Sequence, residues 1–387
     1  MQKKNYVVID VNSTYVTCAI AGVCQDGTLK NFQKFRSPLL LKETYSYDSK
    51  ESINAQVYEA IEKMLSDLNG KNCKKDVIVS ISADKLLLKV NTVTESFARH
   101  RKLNVKDLIK VSNKKRKYDN TDVYDNFFNS IIGVSSTVEE YGAYVQSRRN
   151  RIKVRVSSFF CEKVFLTKIK EIFRKKGYNP VFVAGTTITL NHMLTPDQRK
   201  QYYLAIDTDN DSTSLILGHI NGIEGIKVFK TGTDQISAMV KNTLKQSGKD
   251  IDDYQAKSIV EGSVITNDEK YSDDPDVKIG VVNYSTIAVN VIKDQVTQIL
   301  NSSVDYLYSE QMKNGRDYSL SPVIYLMGDG IATIKGIKNF IENYFYNKAK
   351  IVILSDKEGI VEAQDSKFAA LISYSKSNIW QKLRTDR

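Results

Sequence analysis

YVVIDVNSTYVTCAI at residues 6–20 and YLAIDTDNDSTSLIL at residues 203–217 read as two copies of one element. Each is an apolar strand ending in Ile-Asp, a turn of small hydroxyl and amide residues, and a second apolar strand. Copies half a chain apart are the mark of internal duplication, which outranks every other sequence signal for the fold. An aspartate and hydroxyls on a tight hairpin can face a metal-bound polyphosphate, and two such hairpins facing each other can clamp one. The candidates are Asp10, Asn12, Ser13 and Thr14 in the first copy, and Asp207, Asp209, Ser212 and Thr213 in the second. The four hydroxyl residues among them serve equally well as turn formers.

At 387 residues the chain is long enough for two lobes, and 41% hydrophobic with 26% charged residues is globular composition. No apolar run reaches the ~18 residues that a membrane-spanning helix requires. The first residues run directly into a strand, so no signal peptide is expected. Cys18, Cys24, Cys73 and Cys161 lack metal-ligand spacing, and His100, His192 and His219 fall on unrelated elements. No metal site of the protein's own and a reduced, cytoplasmic setting follow as expectations. Asp207-x-Asp209-x-Asp211 opens like a calcium loop but has Ser212 where glycine is needed and Gly218 where glutamate is needed. The net charge of +11 gathers at residues 99–102, 114–117 and 148–155. A solvated face and a surface for acidic lipid or protein both fit. Nucleic acid is not expected, because no binding motif accompanies the charge.

Along the chain, apolar residues from Ile53 to Leu68 recur at helical spacing and stop at Asn69-Gly70. Val77–Ile81 reads as a short buried strand. Residues from about Asp84 to Val156 break the rhythm, with short strands around one basic helix near Asn104–Lys117. A helix carrying Phe165, Ile169, Ile172 and Phe173 follows and closes at Gly177, before the strand Val181–Ala184. Thr195-Pro196-Asp197 signals a turn or a helix start. Val289, Ile292, Val296, Ile299 and Leu300 share one helix face. Val323–Met327 is a buried strand that ends in Gly328-Asp329-Gly330. Strand, helix and strand alternate in both halves, so the class is α/β with two similarly built lobes.

The order of a phosphate hairpin, a second one half a chain later and a late glycine turn resembles the actin-like ATPase superfamily. Within it, the chain most resembles the FtsA family of bacterial cell-division proteins. The stretches Gly177–Gly185, Leu194–Arg199, Ala205–Asp207 and Gly218–Ile236 carry that likeness, and the insertion between Ser82 and Val156 sits where FtsA has its 1C subdomain. The resemblance implies an actin-like two-lobed fold with an inserted 1C-type subdomain. The expected division is 1–83 for the first part of lobe I, 84–157 for the insert and 158–199 for the rest of that lobe. Residues 200–232 then begin lobe II, 233–300 form a 2B-like subdomain and 301–359 complete the lobe. The chain returns to lobe I over 360–375, and 376–387 form a basic tail.

Departures from the family pattern bear on chemistry. Asn12 replaces a usual glycine, and Asp209, Asn210 and Asp211 replace the glycines of the second loop, where backbone must approach phosphate closely. The ribose-holding Glu-x-x-Lys pair becomes Gln255-x-x-Ser258, and the adenosine turn is Gly328-Asp329-Gly330. ATP with Mg is the implied cofactor. The eroded loops leave its binding open and make fast turnover unexpected, so no catalytic residue is assigned and the chain reads as at most a vestigial ATPase.

The resemblance further implies self-assembly into filaments and capture of the FtsZ C-terminal peptide near Lys293, Gln295 and Thr297. Attachment to the anionic inner face of the plasma membrane at the division site would run through Ile379, Trp380, Lys382, Leu383 and Arg384. Three buried apolar side chains of that tail are worth at most roughly 1.5–3 kcal/mol each. One tail would then bind transiently, and many on a polymer firmly. A tail docked on its own lobe is the other reading. A pilus-assembly adaptor of the same fold and an actin-superfamily ATPase enzyme stand as alternatives.

Overall fold

The computed structural model describes residues 4–12, 15–24, 29–39, 50–101, 105–112, 122–135, 149–220, 222–265, 284–314, 323–346, 348–354 and 365–376. The chain divides into two units. One comprises Met1–Lys200, Gly218–Gly225 and Asp365–Arg387, and the other Gln201–Leu217 and Ile226–Gln364.

The first unit is built on strands β1 (Asn5–Val11), β2 (Tyr15–Val23), β3 (Leu29–Pro38), β4 (Cys73–Ile81) and, by chain order later, β8 (Asn179–Ala184). They form one sheet in the order β3-β2-β1-β4-β8, with β1 antiparallel to β2 and parallel to β4. Helices α1 (Lys50–Asp67) and α3 (Lys163–Lys175) cover one face. Val7, Ile9 and Val11 pack there against Val57, Ile61, Leu65, Ile169 and Phe173. The other face carries Val8, Ala19, Ala21, Ile78 and Val183 against α4 (Gly185–Met193) and α9 (Ser366–Lys376), through Ile188, Phe368, Leu371 and Ile372. Because both faces are covered, β1 is apolar at consecutive positions rather than alternate ones.

Between β4 and α3 lie β5 (Leu87–Arg101), α2 (Val105–Ser112), β6 (Tyr124–Ser135) and β7 (Arg149–Glu162). They make an antiparallel sheet ordered β5-β7-β6, with Leu108 and Val111 of α2 packed on Val134, Ile152, Val154 and Val156. These strands run 15, 12 and 14 residues, so the expectation of short strands is corrected. Long antiparallel strands with one wet face alternate polar and apolar residues, and that alternation hides their length.

The second unit repeats the first sheet. Strands β9 (Tyr203–Thr208), β10 (Thr213–His219), β11 (Gly222–Phe229), β12 (Val323–Met327) and β13 (Lys350–Ile353) follow the order β11-β10-β9-β12-β13, with the end of β10 and the start of β11 counted in the first unit. Here β12 is parallel to both β9 and β13. Leu204, Ile206, Leu215, Leu217, Ile324 and Leu326 share a core with α5 (Thr233–Gln246), α6 (Asp253–Gly262), α7 (Tyr284–Asn314) and α8 (Ile337–Tyr344). The expected helix over Val289–Leu300 is the middle of α7. The two aspartates also match. Asp10 and Asp207 each stand at the end of a first strand, out of phase with the residues feeding their unit's largest apolar cluster.

Residues 218–225 belong to the first unit through specific bonds. Ser157 Oγ accepts from the Ile223 amide at 2.9 Å and donates to its carbonyl at 2.7 Å, while Arg155 pairs with Glu224 in a buried salt bridge. The Ile220 amide donates to the Arg199 carbonyl at 2.7 Å, and His219 Nε2 lies 3.2 Å from the Lys200 carbonyl. Burial holds the His219 imidazole below its ordinary pKa of 6.5 and the Arg155 charge adds to this, while the Lys200 carbonyl opposes it. The folded protein therefore resists protonating His219 more than the unfolded chain does. Stability contributed by the neutral ring is lost as pH falls below about 6.5. Denaturation midpoints of the protein should fall more between pH 7.5 and pH 5.5 than those of His219→Gln; equal slopes would refute this role.

Candidate functional site

The two turns close with the same bond at the same offset. The Asn12 amide donates to the Tyr15 carbonyl at 3.0 Å, and the Asp209 amide donates to the Ser212 carbonyl at 2.9 Å. Each donor stands two residues after its strand's aspartate. Ser13 and Thr14 lie outside the described residues.

In the first unit, Asp10 is 2% exposed, and cross-strand register puts it beside Thr17 of β2 and Ser80 of β4. All three side chains face the layer of α4 and α9. Lys367, in the first turn of α9, reaches over the end of β1 and donates from Nζ to Asp10 Oδ2 at 2.9 Å. Among the described residues, the other carboxylate oxygen, Oδ1, is buried without a hydrogen-bond partner, as are Thr17 Oγ1 and Ser80 Oγ. Gly185, which starts α4, is needed for this close packing, because a Cβ there would lie 2.0 Å from Ser80 Oγ and 3.1 Å from Lys367 Cε.

The second turn is stapled to two other segments of its own unit. The carbonyls of Thr208, Asp209 and Asn210 accept from the amides of Gly330 (2.7 Å), Thr233 (3.1 Å) and Asp234 (2.7 Å). Thr213 Oγ1 donates to the Thr231 carbonyl at 2.6 Å. Gly328 has φ +92°, and a Cβ on it would fall 2.4 Å from the Thr208 carbonyl oxygen and 2.6 Å from Asp207 Oδ1. The glycine turn and the second hairpin therefore meet, bringing Asp207, Asp209, Ser212, Thr213, Gly328, Asp329 and Gly330 into one neighbourhood. Burial raises the Asp234 carboxyl's pKa above the ordinary value, with the Asp211 charge adding to this and Lys257 opposing it. A turn this rich in carboxylates repels a polyanion unless a cation intervenes.

Other predicted residues have different duties. Gln255 completes a capping box at the start of α6: its amide donates to Asp252 Oδ1 at 2.7 Å, and its Oε1 accepts from the Asp252 amide at 3.1 Å. Its side chain is committed to its own helix, and Ser258 is exposed one turn later. On α7, Lys293 and Thr297 are half-buried on one side, whereas Gln295 is 4% exposed and turned inward. A peptide laid along the Lys293 side does not reach Gln295, because two helical steps rotate a side chain by about 200°. Ile379, Trp380, Lys382, Leu383 and Arg384 lie outside the described residues. Among the described residues, no three His, Cys, Asp or Glu side chains are grouped to hold a metal ion, and no helix is long and apolar enough to cross a membrane.

Sequence reasoning missed Lys367, Thr17, Ser80 and Gly185. Lys367 is 357 residues from the carboxylate it meets, so no local pattern links the two.

No family model matches the chain, and no curated protein matches it. Solved structures do. The PilM–PilN type IV pilus biogenesis complex is similar at TM-score 0.59 and 14% identity, over 95% of this chain and 98% of that one. MreB5 of Spiroplasma citri bound to AMPPNP is similar at TM-score 0.53 and 10% identity, over 100% of both chains. The MamK double helical filament is similar at TM-score 0.52 and 9% identity, over 97% of this chain and 100% of that one. The fold is that of the actin-like ATPases.

Proposed function

We propose that this actin-like chain is a scaffold rather than an enzyme: a self-assembling adaptor that links a peptide partner to the inner face of the plasma membrane. The observation that carries this reading is the state of the two turns. Their backbone form is retained to the same closing bond. Yet the first carboxylate is neutralised by Lys367, and the second turn is crowded with acids. A fold kept while its phosphate chemistry erodes serves assembly better than turnover. In this reading the chain holds ATP weakly.

The partner we propose first is the FtsZ C-terminal peptide, docked along the Lys293 and Thr297 side of α7 at the division site. The basic tail would supply transient membrane contact, strengthened on a polymer. The test is titration of the purified protein into labelled FtsZ tail peptide, with sedimentation on anionic vesicles in parallel. Micromolar binding that weakens at least fivefold in Lys293→Glu supports the division reading. A second reading, the pilus-assembly adaptor, is favoured by the likeness to the PilM–PilN complex. Absence of FtsZ peptide binding together with binding of a PilN peptide would replace the first reading with the second.

A further inference from the structure

We propose that Lys367 is a resident counter-ion that takes the place of a divalent metal at the first hairpin. An aspartate at the end of the first strand of an actin-like ATPase fold invites a divalent cation. The geometry here does not fit one. Asp10 is 3% exposed at its side chain and already holds the Lys367 ammonium at 2.9 Å, itself only 16% exposed. A carboxylate whose charge is cancelled at contact distance offers a divalent ion little attraction, and displacing the lysine would break a largely buried ion pair. The surrounding oxygens, Thr17 Oγ1 and Ser80 Oγ, are neutral hydroxyls that cannot make up the missing charge.

The lysine is held in place from several directions. It rides on the first turn of α9, whose Phe368, Leu371 and Ile372 are buried against the sheet. Two further bonds tie that helix to the same unit: Asp365 pairs with Lys34 of β3, and Lys376 Nζ donates to the Cys24 carbonyl. Gly185 leaves room for the aliphatic stem beside Ser80. A lysine anchored at both ends of its helix is a fixed charge, unlike a metal that exchanges with solvent.

The inference concerns one side chain and holds whether or not the adaptor reading does, because its test involves no partner peptide. Manganese is the probe, followed by electron paramagnetic resonance and by thermal melting of the full chain. Wild type should bind Mn2+ no better than a surface-only background. Lys367→Met should bind Mn2+ at least tenfold more tightly than wild type. Asp10→Asn with Lys367→Met should lose that gain. Should Lys367→Met fail to fold, Asp10→Asn alone provides the reading. It keeps the shape, releases the ammonium, and should tighten metal-free tripolyphosphate binding about tenfold. Tight Mn2+ binding by the wild type, no gain of Mn2+ binding in Lys367→Met, or an unchanged tripolyphosphate affinity in Asp10→Asn would each overturn the proposal.

Discussion

Arg155→Met should cost the first unit about 3–5 kcal/mol of stability, the loss typical of breaking a buried ion pair from one side. Its partner Glu224 is 2% exposed at the side chain, and Arg155 is 11% exposed. Removing the guanidinium leaves a buried carboxylate without this ion pair. Replacing both residues, as Arg155→Met with Glu224→Met, should recover most of the loss, because an apolar pair of similar volume carries no stranded charge. Chemical denaturation of the two variants decides the matter. A single variant within about 1 kcal/mol of wild type would mean that the pair is solvated and weak. The consequence reaches beyond stability, since Arg155 and Ser157 together grip residues 223 and 224.

Gly328→Ala should destabilise the second unit by about 2–5 kcal/mol. Left-handed backbone costs a non-glycine residue roughly 1–2 kcal/mol, and forced packing adds about 1–3 kcal/mol. The obstruction is backbone, the Thr208 carbonyl 2.4 Å from the new Cβ, so no side-chain rotation relieves it. The same carbonyl accepts from the Gly330 amide, so the collision also loosens the glycine turn from the second hairpin. Gly248→Ala is the matched control. Gly248 has φ +87°, but nothing lies within 4 Å of its added Cβ, so only the backbone strain remains. Equal losses in the two variants would show that the close approach at Gly328 carries no weight.

Much of the candidate site was legible from local pattern. The duplicated stretches became β1–β2 and β9–β10, each with Ile-Asp near the end of its first strand. Val323–Met327 is β12 to the residue, and the glycine turn follows as read. The capping box Asp252-x-x-Gln255 was also open to a local reading, yet the family register drew Gln255 toward ribose instead. Arg155 was counted with the basic run over 148–155, although its side chain is buried in the ion pair with Glu224. Gln295 looked accessible beside Lys293, but helical rotation takes it into the core.

Alternation, turn residues and caps act over a few neighbours, so the strands, the paired turns and the α/β class follow from the chain read in order. Which charges meet is another matter, because that depends on where distant segments return. The last described helix brings Lys367 back onto Asp10, and residues 218–225 bring Glu224 to Arg155. Only the folded arrangement decides those pairings, since burial sets a charge's worth and no short stretch of sequence carries that information.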